Sequence, residues 1–506
     1  MANIITDNLI QCKPAMDSIE RFCDRYVTSR VLSSCGIKKQ ADIEESKSLE
    51  YIVPDELSSA MPEKAEDDNQ APTLAKKICK CIAARKIFID YMLCFLLNFT
   101  IHSLFKIGLY FENYKRDTLY RFLTIAKARW EALQLKVAGS VIRDIEADST
   151  PNHKNVLIFD DSLYGRAGNG RGTQYCGKVF DHNDRKMRIG YRMMTAVWSN
   201  GETTIPVAQT LLTSSDSNLQ VGNFEMPDGR TVEGKRARRA LAKGTTTVNR
   251  MVQEAQSEGI PFDYVLFDTW FSKPAQLVDL KNLGTEVIAM VAKTSTKYKV
   301  KDPKTGETKK LNLKEIFTIN RKRPGKSRYL LSVNAKISKD NTEIDVKLVF
   351  VRNRNNRKDW ICFVCTDTDL DENTILLTYA IRWNIEVYFK TVKSYMRLTS
   401  ECHSTSYDAL TAHMVIVAIR YMAFALDVYN STDTRTIVDL FDQAKREVIT
   451  NLVNTALVTV IDCIVETIFD VFHPTKEQMA EFYLRFYEKL PNYWKERFKS
   501  PAEDAG

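Results

Sequence analysis

The chain has 506 residues, 44% hydrophobic and 27% charged, with a formal net charge of +8 and an isoelectric point near 8.7. It can bury large cores, in about two to four domains. Eleven cysteines in a large chain with no secretory signal before them form no disulfide framework, and reduced thiols in the cytoplasm are expected.

Residues 1–75 read as a mobile acidic arm or small N-terminal module, because residues 41–68 are acidic and DELSSAMPEKAEDDNQAP carries linker chemistry. Residues 76–150 are helical in period, most clearly in RDTLYRFLTIAKARWEALQLKVAG (Arg116 to Gly139). The most apolar run, Tyr91 to Phe105, lacks formal charge for fifteen residues. That is short of the ~20 residues of a membrane span, so a buried helix and no membrane partner are expected. Cys79 and Cys81, and Cys362 and Cys365, have no second pair at zinc-finger distance, and WICFVC reads as a buried strand.

At Asn155 the pattern turns to strand. NVLIFD ends in acid, and RIGYRMMTAVWS and ETTIPVAQTLL follow around SNG, a hairpin signal. Residues 235–257 read as one helix, YVLFD as a strand, KPAQLVDLKNLG as a helix and EVIAMVA as a strand. Residues 293–368 break this alternation with strand-like runs separated by Lys/Arg-rich turns, and the chain from Tyr407 onward is helical. Basic clusters at Lys235–Lys243, Asn320–Arg328 and Arg352–Lys358 suit a surface that follows a phosphate backbone. Solubilising charge gives the same pattern.

In TYAIRWNIEVYFKTVKSYMRL, Tyr379, Arg382, Glu386 and Lys393 are separated by three, four and seven positions. On one helix they would fall within an arc of about 60°. A carboxylate beside a phenol, a guanidinium and an ammonium suits a metal ion and a phosphate. A solvated helical face with an ordinary Arg382–Glu386 pair gives the same spacing.

The spacing Y-(2)-R-(3)-E-(6)-K resembles the signature of the insertion-sequence-4 type of bacterial DDE transposase. NVLIFDDS (Asn155 to Ser162) and YVLFDTWF (Tyr264 to Phe271) resemble the segments carrying that family's two catalytic aspartates. The resemblance covers roughly residues 115–430. It implies an α/β, ribonuclease-H-like catalytic core over 151–292 and 369–400, interrupted by a β-rich insertion over 293–368. The helical 76–150 would bind transposon ends, and the helical 401–506 would serve dimerisation.

The resemblance further implies Asp161, Asp268 and Glu386 as catalytic acids holding two Mg²⁺, with Mn²⁺ as an alternative. Strand alternation puts Asp160 and Asp161 on opposite faces; only the motif alignment favours Asp161. Tyr379, Arg382 and Lys393 would grip a DNA phosphate. Trp360 would stack on a flipped base if excision passes through a hairpin; a core tryptophan in DWICFV is the alternative. Trp270 and Trp383 read as packing residues. The expected function is cut-and-paste transposition on double-stranded DNA, at inverted-repeat ends and target, by a homodimer in the bacterial cytoplasm, at the nucleoid. The alternatives are a non-catalytic DNA-binding derivative of the same fold and a ribonuclease-H-like nuclease without strand transfer.

Overall fold

The computed structural model describes residues 14–37, 84–92, 118–148, 154–181, 184–324, 326–356, 358–430 and 436–491. The acidic stretch at 41–68, Cys79 and Cys81, and the apolar run beyond residue 92 lie outside the described residues.

Eleven strands form one mixed sheet. They are β1 (Val156–Gly165), β2 (Gly177–Asp181), β3 (Lys186–Ser199), β4 (Thr204–Leu212), β5 (Tyr264–Phe267), β6 (Glu286–Val291), β7 (Lys297–Lys301), β8 (Thr308–Asn312), β9 (Leu331–Lys339), β10 (Thr342–Arg352) and β11 (Trp360–Cys365). The order is β2-β3-β1-β5-β6-β11-β10-β9-β7-β8, with β4 also pairing β3. β1 runs antiparallel to β3 and parallel to β5, and β5 runs parallel to β6. Val156 to Phe159 and Tyr264 to Phe267 are buried, the continuous apolar runs expected of strands covered on both faces. β11 joins β6, so β7 to β11 extend the same sheet. The SNG turn connects β3 to β4; the Asn200 side chain accepts from the Glu202 and Thr203 N–H groups. Gly190 is required where β3 passes β1, because a Cβ there would lie 2.3 Å from the Tyr164 carbonyl oxygen.

The helices before the sheet are α1 (Pro14–Tyr26), α2 (Ser29–Ser34), α3 (residues 84–92), α4 (Thr118–Leu123) and α5 (Trp130–Asp148). Between the strands lie α6 (Val232–Ala240), α7 (Gly244–Ser257), α8 (Pro274–Asn282) and α9 (Leu313–Ile319). After β11 come α10 (Glu372–Ala380), α11 (Trp383–Lys390), a π-helical turn (Thr391–Tyr395), α12 (Tyr407–Asn430), α13 (Ile437–Phe472) and α14 (Lys476–Lys489). The single helix expected over 235–257 is two helices: Thr213 donates its N–H to the Ala240 carbonyl at 2.8 Å, and the second helix begins at Gly244.

α5 buries Trp130, Leu133, Val137, Val141 and Ile145, one helical stripe, and packs on β4 and α12. Among the described residues, α12 is long and apolar enough to cross a membrane, yet 94% of its apolar window is buried inside the fold. It is the core helix that locks the sheet to the N-terminal helices. Its Arg420 pairs with Glu401 at 2.7 Å, both fully buried, and its His413 Nδ1 lies 2.8 Å from the Tyr91 hydroxyl. Arg236 of α6, also buried, pairs with Glu131 of α5 at 3.4 Å and with Asp408 of α12. The Lys235–Lys243 cluster is therefore partly consumed by the fold: Arg236 is interior, and Arg239 faces Glu131 and Glu254.

Candidate active site

The site is built at the end of β1. The β1–β5 register pairs Ile158 with Leu266; continued two residues, it brings Asp160 level with Asp268, just past β5. Parallel neighbours in register point to one face. Asp268 takes the Trp270 N–H on Oδ1 at 2.9 Å.

The opposite face of β1 carries Asp161. Its Oδ2 receives Arg192 Nε at 2.8 Å, and Gly244 at the start of α7 leaves room for that guanidinium: a Cβ there would lie 2.4 Å from Arg192 Nη2. Asp161, expected as the first acid, thus faces Arg192 on the opposite side of the strand from Asp160. Asp160, its neighbour, is the one the structure brings level with Asp268.

The stretch from Thr378 to Leu398 is not one uniform helix. It tightens at 381–385, where Ile381, Arg382, Asn384 and Ile385 bond three residues back, and widens into the π turn at Thr391–Tyr395. π turns are common at functional sites. Arg382 Nη1 donates to Asp160 Oδ2 at 3.1 Å, and Nη2 donates to Glu386 Oε1 at 2.9 Å. Lys393 Nζ donates to Ser162 Oγ at 2.5 Å and to the Leu163 carbonyl at 2.7 Å. Ser162 shares the Asp160 face of β1. Tyr379 packs its ring on Phe363, centroids 4.7 Å apart.

The electrostatics show the same grouping. Burial pushes the Asp160 carboxyl up to about 7, helped by the nearby Asp268 charge and opposed by Arg382. Burial also pushes the Tyr379 phenol up to about 12, against Arg382 and with Asp268 and Asp160. Lys393 is brought down to about 8 by burial. Burial first, and the Asp268 charge second, disfavour the ionised Asp160 carboxylate, and a cation beside it relieves both. In donor chemistry, carboxylate oxygens of the kind that Asp160, Asp268 and Glu386 carry suit Mg²⁺ or Mn²⁺. Among the described residues, no three acidic, histidine or cysteine side chains are gathered closely enough to hold an ion; Arg382 lies between Asp160 and Glu386 instead.

Trp360 begins β11 at the edge of the sheet that also carries Asp268. It is half-buried, stacked on Phe317 at 5.0 Å and 23°, edge-on to Phe350 at 5.1 Å, and covered by Lys293 Nζ at 4.3 Å from its ring centre. Its ring is engaged in packing. Trp270 and Trp383, expected as packing residues, are 58% and 64% exposed beside Asp268 and Arg382. Cys362 and Cys365 are buried strand residues. Sequence reasoning gave no sign of Arg192 or Ser162, whose parts depend on strand register alone.

Arg321, Lys322, Arg323, Arg352, Arg354 and Lys358 are exposed. Arg321, Arg323, Lys347 and Glu372 line a polar cavity of about 470 Å³.

A family model described as DDE superfamily endonuclease matches residues 78–326, and one described as transposase DDE domain matches residues 231–423. No curated protein matches the chain. The two matches overlap, and between them they contain Asp160, Asp268, Arg382, Glu386 and Lys393. Domains of this kind generally use divalent metals. The DDE endonuclease and transposase domains, laid along one mixed α/β sheet, mark the chain as a DDE transposase, an enzyme that acts on DNA.

Proposed function

We propose that the enzyme carries out cut-and-paste transposition of an insertion sequence, with Asp160, Asp268 and Glu386 as its metal-holding acids. The observation that carries this reading is Arg382 bridging Asp160 and Glu386 on the face of β1 that Asp268 shares. Asp161 is then a positioning residue, fixed by Arg192. The strand order β4-β3-β1-β5-β6, with β1 parallel to β5 and β6, supports a ribonuclease-H-like core. Residues 293–368 would be its β-rich insertion and the Tyr-Arg-Glu-Lys spacing its insertion-sequence-4 type signature.

The three carboxylates would hold two divalent cations, which supply Lewis acidity to the attacking water or 3′-hydroxyl and to the leaving oxygen. Arg382 presents a planar fork that matches a phosphate. Lys393 adds a point charge, and the Tyr379 hydroxyl a donor. The Asn320–Arg328 and Arg352–Lys358 turns supply exposed positive charge for the DNA backbone beyond the site. If excision passes through a hairpin, Trp383 and Trp270 offer exposed indoles for an unstacked base.

Exposed Val460, Ile464, Phe469, Val471 and Phe472 on α13 support a homodimer on paired ends, since an apolar helix surface of this kind calls for a partner. The protein would act in the cytoplasm on chromosomal DNA. The experiment is direct: the purified chain with duplexes carrying its own element's ends should cleave them and join them to target DNA in Mg²⁺, and stop in EDTA. Binding without cleavage under those conditions would leave a non-catalytic DNA-binding protein.

A further inference from the structure

We propose that Arg382 is an internal cation that holds the Asp160 and Glu386 carboxylates together until a DNA phosphate draws it away, coupling end binding to divalent-cation loading. This rests on the reading of these acids as the metal site.

The guanidinium makes one bond to each acid, at 3.1 Å to Asp160 Oδ2 and 2.9 Å to Glu386 Oε1. The Arg382 and Asp160 side chains are each about one-sixth exposed, at 17% and 16%, so their attraction is weakly screened. The other basic groups nearby do not share this place. Lys393 is bonded to Ser162 and the Leu163 carbonyl, and Arg192 serves Asp161 on the opposite face.

A divalent cation entering between Asp160 and Glu386 meets the like charge of Arg382. A phosphate approaching Arg382 meets the like charges of Asp160, Asp268 and Glu386. Each arrival is unfavourable alone, and the pair is favourable together: the cation replaces the guanidinium on the carboxylates, and the phosphate replaces the carboxylates on the guanidinium. The fork that spans two carboxylate oxygens also spans two phosphate oxygens, so Arg382 exchanges partners without losing its bonds. The coupling is reciprocal by linkage, so phosphate tightens cation binding as much as the cation tightens phosphate binding. The enzyme would thereby load its cations on a bound end rather than in free solution.

The test is Mn²⁺ binding to the full chain, followed by the paramagnetic resonance of free Mn²⁺, with sulfate as the tetrahedral anion and chloride at matched ionic strength as the control. Sulfate should tighten Mn²⁺ binding to the wild type. Arg382→Gln should bind Mn²⁺ about tenfold more tightly without sulfate, within the usual range of coupling between sites, and should lose the sulfate effect. Wild-type binding that ignores sulfate overturns the proposal, as does a folded Arg382→Gln chain with unchanged Mn²⁺ affinity. The sulfate arm uses only wild type, so it decides the matter even if the variant does not fold. Asp160→Asn and Glu386→Gln separate the two claims: if Mn²⁺ binding survives both, the metal-site reading itself fails.

Discussion

Arg382 donates to Asp160 at 3.1 Å across 222 positions of chain. This contact ties the start of α11 to β1 on the face that Asp160, and not Asp161, presents. Asp160 goes to Arg382, and Asp161 to Arg192.

Trp360 should behave as a core residue. Its ring is stacked on Phe317 and covered by Lys293. Trp360→Ala should cost roughly 2–4 kcal/mol, toward the lower end for large-to-small changes because the site is only half-buried. Thermal melting measures this. End binding, nicking and joining should fall together with the folded fraction. A stable variant impaired in one DNA step alone would return Trp360 to a base-stacking role.

Trp383 should behave in the opposite way. At 64% exposure its removal should shift stability by no more than about 0.5 kcal/mol. Loss of a stacked base would slow the step that needs it by roughly 1–3 kcal/mol, up to about a hundredfold. Comparing first-strand nicking with later products in Trp383→Ala locates that step. Equal rates for every step would remove the indole from the DNA path.

His413 should set part of the acid limit of the fold. Burial, with Arg420 adding, lowers its pKa from 6.5 to about 3. Neutral imidazole sits between the Tyr91 hydroxyl and the Leu398 carbonyl. A depressed folded pKa means stability that is present above about 6.5 and is lost as the pH falls toward 3. At about 1.4 kcal/mol per pKa unit, the loss by pH 4 is roughly 3 kcal/mol. His413→Asn should be less stable at pH 7, yet lose less between pH 7 and 4. Parallel melting curves for the two proteins over that range would contradict this origin.

The exposed basic turn should govern salt dependence. Replacing Arg321, Lys322 and Arg323 together by Gln should weaken DNA binding and lower the slope of log K against log salt by up to about 3, at close to one per phosphate contact. Binding measured by anisotropy across a salt series gives that slope. No change would make the turn a solvated surface.

The strands were legible because their apolar runs are short, β-branched and punctuated by turn residues; β1, β5 and β6 fall on NVLIFD, YVLFD and EVIAMVA. Helix continuity was less legible. Helical period runs through residues 241–243 and 381–382, but tertiary bonds decide there: Thr213 takes the Ala240 carbonyl, and Asp160 and Glu386 hold Arg382. The choice between Asp160 and Asp161 could not be read locally, because both are acids and a strand offers both faces. The exposure of Trp270 and Trp383 was hidden for a related reason: apolar type predicts burial on average, and single residues depart from it.

The most direct measurement compares Asp160→Asn and Asp161→Asn in Mg²⁺-dependent cleavage of the element's own ends, with melting temperature as the control for folding. Asp160→Asn should abolish cleavage while leaving end binding intact, and Asp161→Asn should retain cleavage reduced only by the loss of its Arg192 contact. Cleavage that survives in Asp160→Asn and disappears in an equally folded Asp161→Asn would contradict the account.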